Sequence, residues 1–199
     1  MKLSRLVLLA GALRAATGWT TARPPRRLSA RAGGVYGEPE LYDLAFSYRD
    51  FDSEVDFLLE AHARHGATGG APRAVLELAA GPARHLLNAW ARAPRRAEGA
   101  EGTLDYPPLT ALAALDASAP MKEYALRLAA DAGAPLEYHV GAMEDFALDA
   151  RGFDAAWLLL GSAGHLLTAD AFVAMLRACA AHLADGGDDF CLCSVFVFA

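Results

Sequence analysis

The apolar residues of this chain fall into a regular series once its first forty or so positions are passed. From Glu38 onward, Leu41, Leu44, Phe51, Val55, Phe57, Leu58 and Leu59 recur near helical spacing. That spacing predicts two helices, over 39–48 and 51–65, the second ending at Gly66. A Gly, Ala and Pro loop leads to Ala74-Val75-Leu76-Glu77-Leu78, a short apolar run with the character of a buried strand. Small residues follow at once, then a helical run from Ala83 to Ala93. Strand, tight turn and helix in that order open a βαβ unit. The series continues with a strand at about 110–116, a helix at 119–132, strands at 136–141 and 154–160, and a helix at 168–184 that stops before Gly186-Gly187. A last strand begins near Phe190. Between the first core helix and second strand, residues 94–109 carry three prolines, two glycines and mixed charge, the composition of an extended surface loop. The alternation predicts an α/β domain, a doubly wound, mainly parallel sheet with helices on both faces. Its ligand crevice lies beyond the carboxyl ends of the strands.

Composition narrows this picture. With 199 residues, 54% of them hydrophobic, the chain supports one sizeable core and one domain, read here as 35–199, with a helical lid at 35–66 and the sheet core at 71–199. The net charge of −6 is unevenly distributed. Residues 1–37 hold Lys2, Arg5, Arg14, Arg23, Arg26, Arg27 and Arg31 and no acid, so the remainder sets 11 basic against 24 acidic residues, a charge of −13. A body this acidic repels a phosphate backbone and argues against general nucleic-acid binding. Three cysteines, Cys179, Cys191 and Cys193, form a poor disulfide framework, and the Cys191/Cys193 pair lacks the further ligands that zinc requires. His62, His65, His139 and His182 show no ligand spacing either, so no metal is expected.

The basic first segment reads as an address. Residues 6–17 are apolar but broken by Arg14, and fall short of the roughly 20 residues of a membrane-spanning helix. Thr17 to Arg31 is rich in Arg, Ser, Thr, Ala and Pro. The two in series resemble the bipartite presequences of algae with secondary plastids, with Trp19 a candidate first residue after cleavage. The expectation is a cleavable presequence over 1–34, closed by Gly33-Gly34, that directs the mature chain to a plastid and leaves it without a transmembrane segment. A secretory signal and a mitochondrial presequence are the alternatives.

The run Val75-Leu76-Glu77-Leu78-Ala79-Ala80-Gly81-Pro82-Ala83-Arg84-His85 resembles the first motif of the class I, Rossmann-like methyltransferases that use S-adenosylmethionine. Backbone with almost no side chain lets a cofactor lie across the strand ends, and the carboxylate of Glu77 suits a cationic amino-acid moiety. Gly81 is the retained glycine. Ala79 and Ala83 stand where the family usually has glycine, from which the turn is expected to avoid positive φ at both. Leu115-Asp116-Ala117-Ser118-Ala119-Pro120-Met121 is similar to the second motif, in which the strand-end acid accepts both ribose hydroxyls; the resemblance implies cofactor contacts at Asp116, Ala117 and Met121. Asp116 lies 39 residues after Glu77, so 94–109 reads as an insertion.

Val140 to Phe146 is similar to the family segment along adenine, with Ala142 where an Asp often receives the adenine amino group and Met143 able to bind through its N–H. Asp145 reads as a turn or helix-start carboxylate. Phe153 to Leu167 resembles the fourth strand and the loop facing the transferred methyl, placing Leu160 at the cofactor. His165 in that loop is either a general base or a residue that hydrogen-bonds its own loop. Tyr42, Tyr48, Arg49 and Asp50 resemble the family's N-terminal lid. Arg49 either pairs with the methionine carboxylate or is a solvated helix-face arginine, while Arg84 and His85 read as structural or surface residues.

The resemblance spans about residues 35–195. It implies S-adenosylmethionine as cofactor and methyl transfer to a small-molecule acceptor. Two rivals stand beside it: a noncatalytic cofactor-binding or scaffold protein, and an NAD-dependent oxidoreductase. The latter calls for Gly-x-Gly-x-x-Gly and an acid ~20 residues on, where this chain has Ala-x-Gly-x-Ala and a much later Asp. The family normally adds two strands after the fifth, and the sequence stops near the fifth. The expectation is therefore a C-terminally truncated fold lacking the final two strands, its apolar end from Phe190 to Ala199 leaving a sheet edge prone to association. The chain as written is expected to be poorly soluble or inactive.

Overall fold

A computed structural model describes residues 35–66, 70–92, 108–184 and 190–193. After a short 3₁₀ turn at Val35–Gly37 come α1 (Pro39–Ala45), α2 (Phe51–His65), β1 (Ala74–Leu78), α3 (Arg84–Arg92), β2 (Ala111–Asp116), α4 (Ala119–Ala132), β3 (Leu136–Val140), β4 (Ala155–Leu158), α5 (Ala169–Ala180) and β5 (Phe190–Cys193). The strands pair in the order β3-β2-β1-β4-β5, every pairing parallel. The chain leaves β1 toward β2 on one side, and β4 returns on the other, so the order reverses between β1 and β4. That reversal opens a crevice at their carboxyl ends. Most of the 94–109 loop, the presequence expected over 1–34 and the run after Cys193 lie outside the described residues.

Strand alternation divides the interior into two cores. Val75, Leu112, Ala114, Ala155 and Trp157 point to one face and pack with Val55, Leu58 and Leu59 of α2, Leu86 and Ala89 of α3 and Ala125 of α4. Leu76, Leu78, Ala113, Leu115, Ala156 and Leu158 point to the other, against Met175 and Cys179 of α5. Helices thus cover both faces. Of the two N-terminal helices expected to form a lid, α2 belongs to the core, because Val55, Leu58 and Leu59 are almost fully buried. Only α1, which exposes Leu41 and Leu44, lies over the strand ends.

Local chemistry sets the helix ends. Asp50 caps α2 by accepting from the Ser53 N–H at 3.1 Å. Ser118 caps α4 through the Met121 N–H, with Pro120 in its first turn, and Gly133 ends it at φ 63°. Thr168 caps α5 through Ala171. Three elements are shorter than their periodicity predicts. After Ala45 the chain turns, with Ser47 Oγ donating to the Leu44 carbonyl at 2.7 Å. Leu183 leaves helical geometry to bridge Phe153, which ends α5 at Ala180. β4 stops at Leu158 because Leu160 and Gly161 turn left-handed. Asp154 lies just before β4 and its Oδ2 accepts from the N–H groups of Arg73 and Ala74 at 2.7 and 2.9 Å, fixing the start of β1. Among the described residues, no helix is long and apolar enough to cross a membrane and no cluster of metal-ligating side chains occurs.

Candidate functional site

The crevice begins at the turn after β1. Ala79, Gly81 and Ala83 adopt φ of 50°, 51° and 56°. The expectation that the two alanines avoid positive φ is therefore corrected. The chain must leave the sheet and enter α3 within five residues, and closing that turn forces left-handed backbone at alternate positions. Alanine tolerates it at about 1–2 kcal/mol each, the cost of setting Cβ against the following carbonyl. Leu160, across the crevice, is left-handed as well, at φ 58°. Backbone strain of this kind concentrates at ligand-handling sites.

Neighbouring strands hold the turn in place. The Gly81 N–H donates to Asp116 Oδ2 at 2.9 Å, and Ala80 N–H donates to the Leu115 carbonyl at 3.1 Å. Asp116 Oδ1 accepts from the Ser118 N–H at 2.8 Å. The buried Tyr138 of β3 donates its hydroxyl to the Gly81 carbonyl at 2.6 Å. Burial, with Asp116 and Glu77 nearby, pushes its phenol far above the usual tyrosine range. Both sides of Gly81 are thus clamped. Sequence reasoning missed Tyr138, whose only signal was a tyrosine in an otherwise half-polar strand.

Beneath the turn lies a buried charge network. Alternation along β1 sends Glu77 to the Val75 face, the face covered by α2 and α3. His85, in the first turn of α3, places Nδ1 3.1 Å from Glu77 Oε1 and Nε2 2.9 Å from Glu54 Oε2 of α2. Glu54 Oε1 in turn pairs with Arg49 Nη2 at 2.7 Å. Burial pulls the His85 imidazole down, but the hydrogen bonds and charges of Glu77 and Glu54 outweigh it and raise it above its ordinary value. His85 is buried, at 3% exposure, and so is not the surface residue that one of its two readings made it. Its partners could not be read from the sequence, because Glu54 comes from a helix 31 residues earlier.

Helix α1 is held by two carboxylates, Glu40, which pairs with Arg127 of α4 at 2.7 Å, and Asp43. Asp43 accepts from Arg84 of α3, with the Nε contact at 2.8 Å, and from the Tyr124 hydroxyl of α4 at 2.7 Å. Burial works against ionisation of Asp43, but Arg84 and Tyr124 prevail and hold it below the usual carboxylate range. Tyr42 turns inward: a β-carbon on Gly81 would lie 3.8 Å from its Cε1. Burial, chiefly, raises its hydroxyl to about 12. Its ring packs on Phe46, centroids 4.5 Å apart, and neighbours Tyr36 at 5.8 Å. The resulting open-sided cleft has about 420 Å³ of empty space including its mouth, between Tyr42, Phe46, Glu77, Ala79, Leu160 and Ser162.

The remaining candidates spread around this cleft. Ala117 is exposed beside Asp116. Met121 is 1% exposed, its side chain taken into the interior and its N–H used by the Ser118 cap, so it offers the cleft no free surface. Ala142 is exposed and forms a turn in which Asp145 N–H donates to its carbonyl, and half-buried Met143 packs against the α5-side core. His165 is exposed, makes no side-chain hydrogen bond among the described residues, and meets Tyr36 edge-on at 6.2 Å. Tyr48 lies outside, 78% exposed, and Asp50 caps α2.

Residues 75–187, more than half of the chain, match the methyltransferase domain family. The chain belongs to that family. Solved structures share its fold. DesVI of Streptomyces venezuelae aligns with a TM-score of 0.58 and 21% identity over 80% of this chain and 57% of its own. The sugar N-methyltransferase KedS8 of a Streptoalloteichus species gives 0.56 and 24% over 85% and 56%. The amino pentose methyltransferase CalS10 of Micromonospora echinaspora, solved with S-adenosylmethionine bound, gives 0.55 and 20% over 72% and 52%. This chain therefore spans little more than half the length of those proteins. A comparison with curated protein sequences finds no match.

S-adenosylmethionine is the cofactor of this methyltransferase domain, and the cleft can be tested against it. Among the described residues, Glu77 Oε2 and Arg49 Nε are buried without a hydrogen-bond partner. Such atoms are costly to leave unmet, at about 1–3 kcal/mol or more for charged groups. One is an acceptor on an acid and the other a donor on a base, the pair that the ammonium and carboxylate of an amino-acid moiety satisfy. The donor set fits.

Proposed function

We propose that this domain transfers the methyl group of S-adenosylmethionine to a small-molecule acceptor. The observation that carries the reading is a pair of unpartnered atoms on oppositely charged groups in a methyltransferase fold, Glu77 Oε2 beside the turn after β1 and Arg49 Nε just ahead of α2. The cofactor supplies a methyl group on sulfonium sulfur, open to in-line attack, so the protein's task is to position and to exclude water. Glu77 and Arg49 hold the amino-acid end, Asp116 the ribose, and Gly81 leaves the floor free of a side chain. Ala117 and the Ala142-Met143 segment flank the nucleoside, with no acid at Ala142 to receive an adenine amino group. Leu160 and Tyr42 wall the cleft near its mouth. His165, with neither ring nitrogen hydrogen-bonded among the described residues, takes the proton from an acceptor oxygen or nitrogen.

Similarity to KedS8 and CalS10, named as a sugar N-methyltransferase and an amino pentose methyltransferase, supports a small polar acceptor. The basic first segment supports delivery to a plastid, and a fluorescent fusion of residues 1–40 that marked only the secretory lumen or mitochondria would reject it. Calorimetry of the full chain decides the cofactor. Binding of S-adenosylmethionine with no binding of NAD is expected; the reverse overturns the reading. With an acceptor in hand, His165→Ala should lower turnover about 100-fold with little change in cofactor affinity. Unchanged turnover removes the base.

A further inference from the structure

Two of the four buried side-chain atoms that lack a hydrogen-bond partner among the described residues, Glu77 Oε2 and Arg49 Nε, are the two ends of one chain of side chains. It runs from Arg49 through Glu54 and His85 to Glu77, alternating in charge, with contacts of 2.7, 2.9 and 3.1 Å. We propose that His85 is a positioning residue for the amino-acid end of the cofactor: its ring, shared by Glu77 and Glu54, turns Glu77 Oε2 to the cleft and ties it to Arg49. The proposal rests on the cofactor reading above.

The chemistry of the ring carries the argument. Both nitrogens of His85 face carboxylate oxygens, which accept hydrogen bonds when ionised. A neutral imidazole has one N–H and satisfies one of them; an imidazolium donates to both. Each packed element contributes to its setting. β1 brings Glu77, and α2 brings Glu54 and the Phe51 ring, which meets the imidazole edge-on at 5.1 Å. Arg49, ahead of α2, neutralises the far side of Glu54. From α1, Tyr42 lies close enough to Glu77 to feel its charge, and the adjacent Arg84 is taken by Asp43. Burial favours a neutral ring, and the two carboxylates overcome it. Because Oε1 is engaged by His85, Oε2 is left as the buried carboxylate oxygen without a partner. At the other end, Glu54 takes Arg49 Nη2 and leaves Nε as the open donor. A ligand that binds both ends closes the chain of charges into a ring.

The test separates the amino-acid end from the nucleoside. The full chain and its His85→Gln variant are titrated calorimetrically with S-adenosylmethionine and with 5′-methylthioadenosine, which keeps the nucleoside and thioether but lacks the amino acid. His85→Gln should lose about tenfold or more for the first and stay within about twofold for the second, because one charge-assisted contact is misplaced. Equal losses for both ligands, or none for either, overturn the proposal. Glu54→Gln, at a partly exposed position, decides the matter where His85→Gln does not fold, with the same selective loss expected at several-fold. ¹⁵N NMR of the wild-type chain at about pH 6, below the ordinary histidine value, should show both His85 ring nitrogens protonated, and one bare nitrogen overturns it. Failure of the cofactor reading is distinguishable, since the wild-type chain then binds neither compound.

Discussion

Two carboxylates stand at neighbouring strand ends and serve the same cleft in different ways. Asp116, at the end of β2, spends both oxygens on backbone N–H groups, those of Gly81 and Ser118. Glu77, one residue before the end of β1, has one oxygen on a titratable side chain and the other open. The donors to Asp116 do not ionise, so its geometry is fixed at any pH at which it stays charged. The setting of Glu77 depends on whether His85 carries its second proton. One acid is scaffold as much as ligand; the other is held by a partner that responds to solution conditions.

The largest effect should come from removing the first. Asp116→Ala leaves two turn N–H groups without their charged acceptor, and unfolding in urea should show a loss of about 2–3 kcal/mol. A loss under ~1 kcal/mol would mean that the turn holds without the clamp. A middle effect follows from the second. His85 rises above its ordinary 6.5 in the fold, so the folded chain binds that proton more tightly than the unfolded one. Its stabilisation is fully present below pH 6.5 and declines as pH rises through the higher folded value. The urea midpoint of the wild-type chain, followed from about pH 6 to 9, should therefore fall relative to that of His85→Gln. Parallel curves would detach His85 from the balance. The smallest effect belongs to the turn between the two acids. Ala79→Gly and Ala83→Gly relieve left-handed alanine at the expense of a freer unfolded chain, for a net gain of about 0.5–1 kcal/mol each in thermal unfolding. A loss instead would show that the alanine methyls pack better than their φ strain costs.

The same contrast governs what could be read from the sequence. Element order, the parallel sheet and its crevice were legible because apolar spacing is local, as was the end of the second helix at Gly66. Asp116 and Glu77 were legible as strand-end acids. The φ of Ala79 and Ala83 was not, since alanine's preference argues one way and the closure of the turn imposes the other. Nor were the partners of His85, Tyr138 and Asp43, which arrive from other elements across the cleft. The place of α2 in the core rather than the lid was also hidden, because an amphipathic stripe states that a helix is covered without stating by what.

Tyr42 gives this cleft a kinetic character. Its ring overlies Gly81, the floor on which the turn was cleared of side chains. Any molecule that comes to rest there shares that space with the phenol, so α1 lifts before the molecule enters. Because Asp43 fastens α1 to both α3 and α4 and Glu40 pairs with Arg127 of α4, that displacement breaks three attachments together. At high ligand concentration the observed rate of capture then levels off at the rate at which the helix lifts, a plateau that belongs to the protein and not to what it binds.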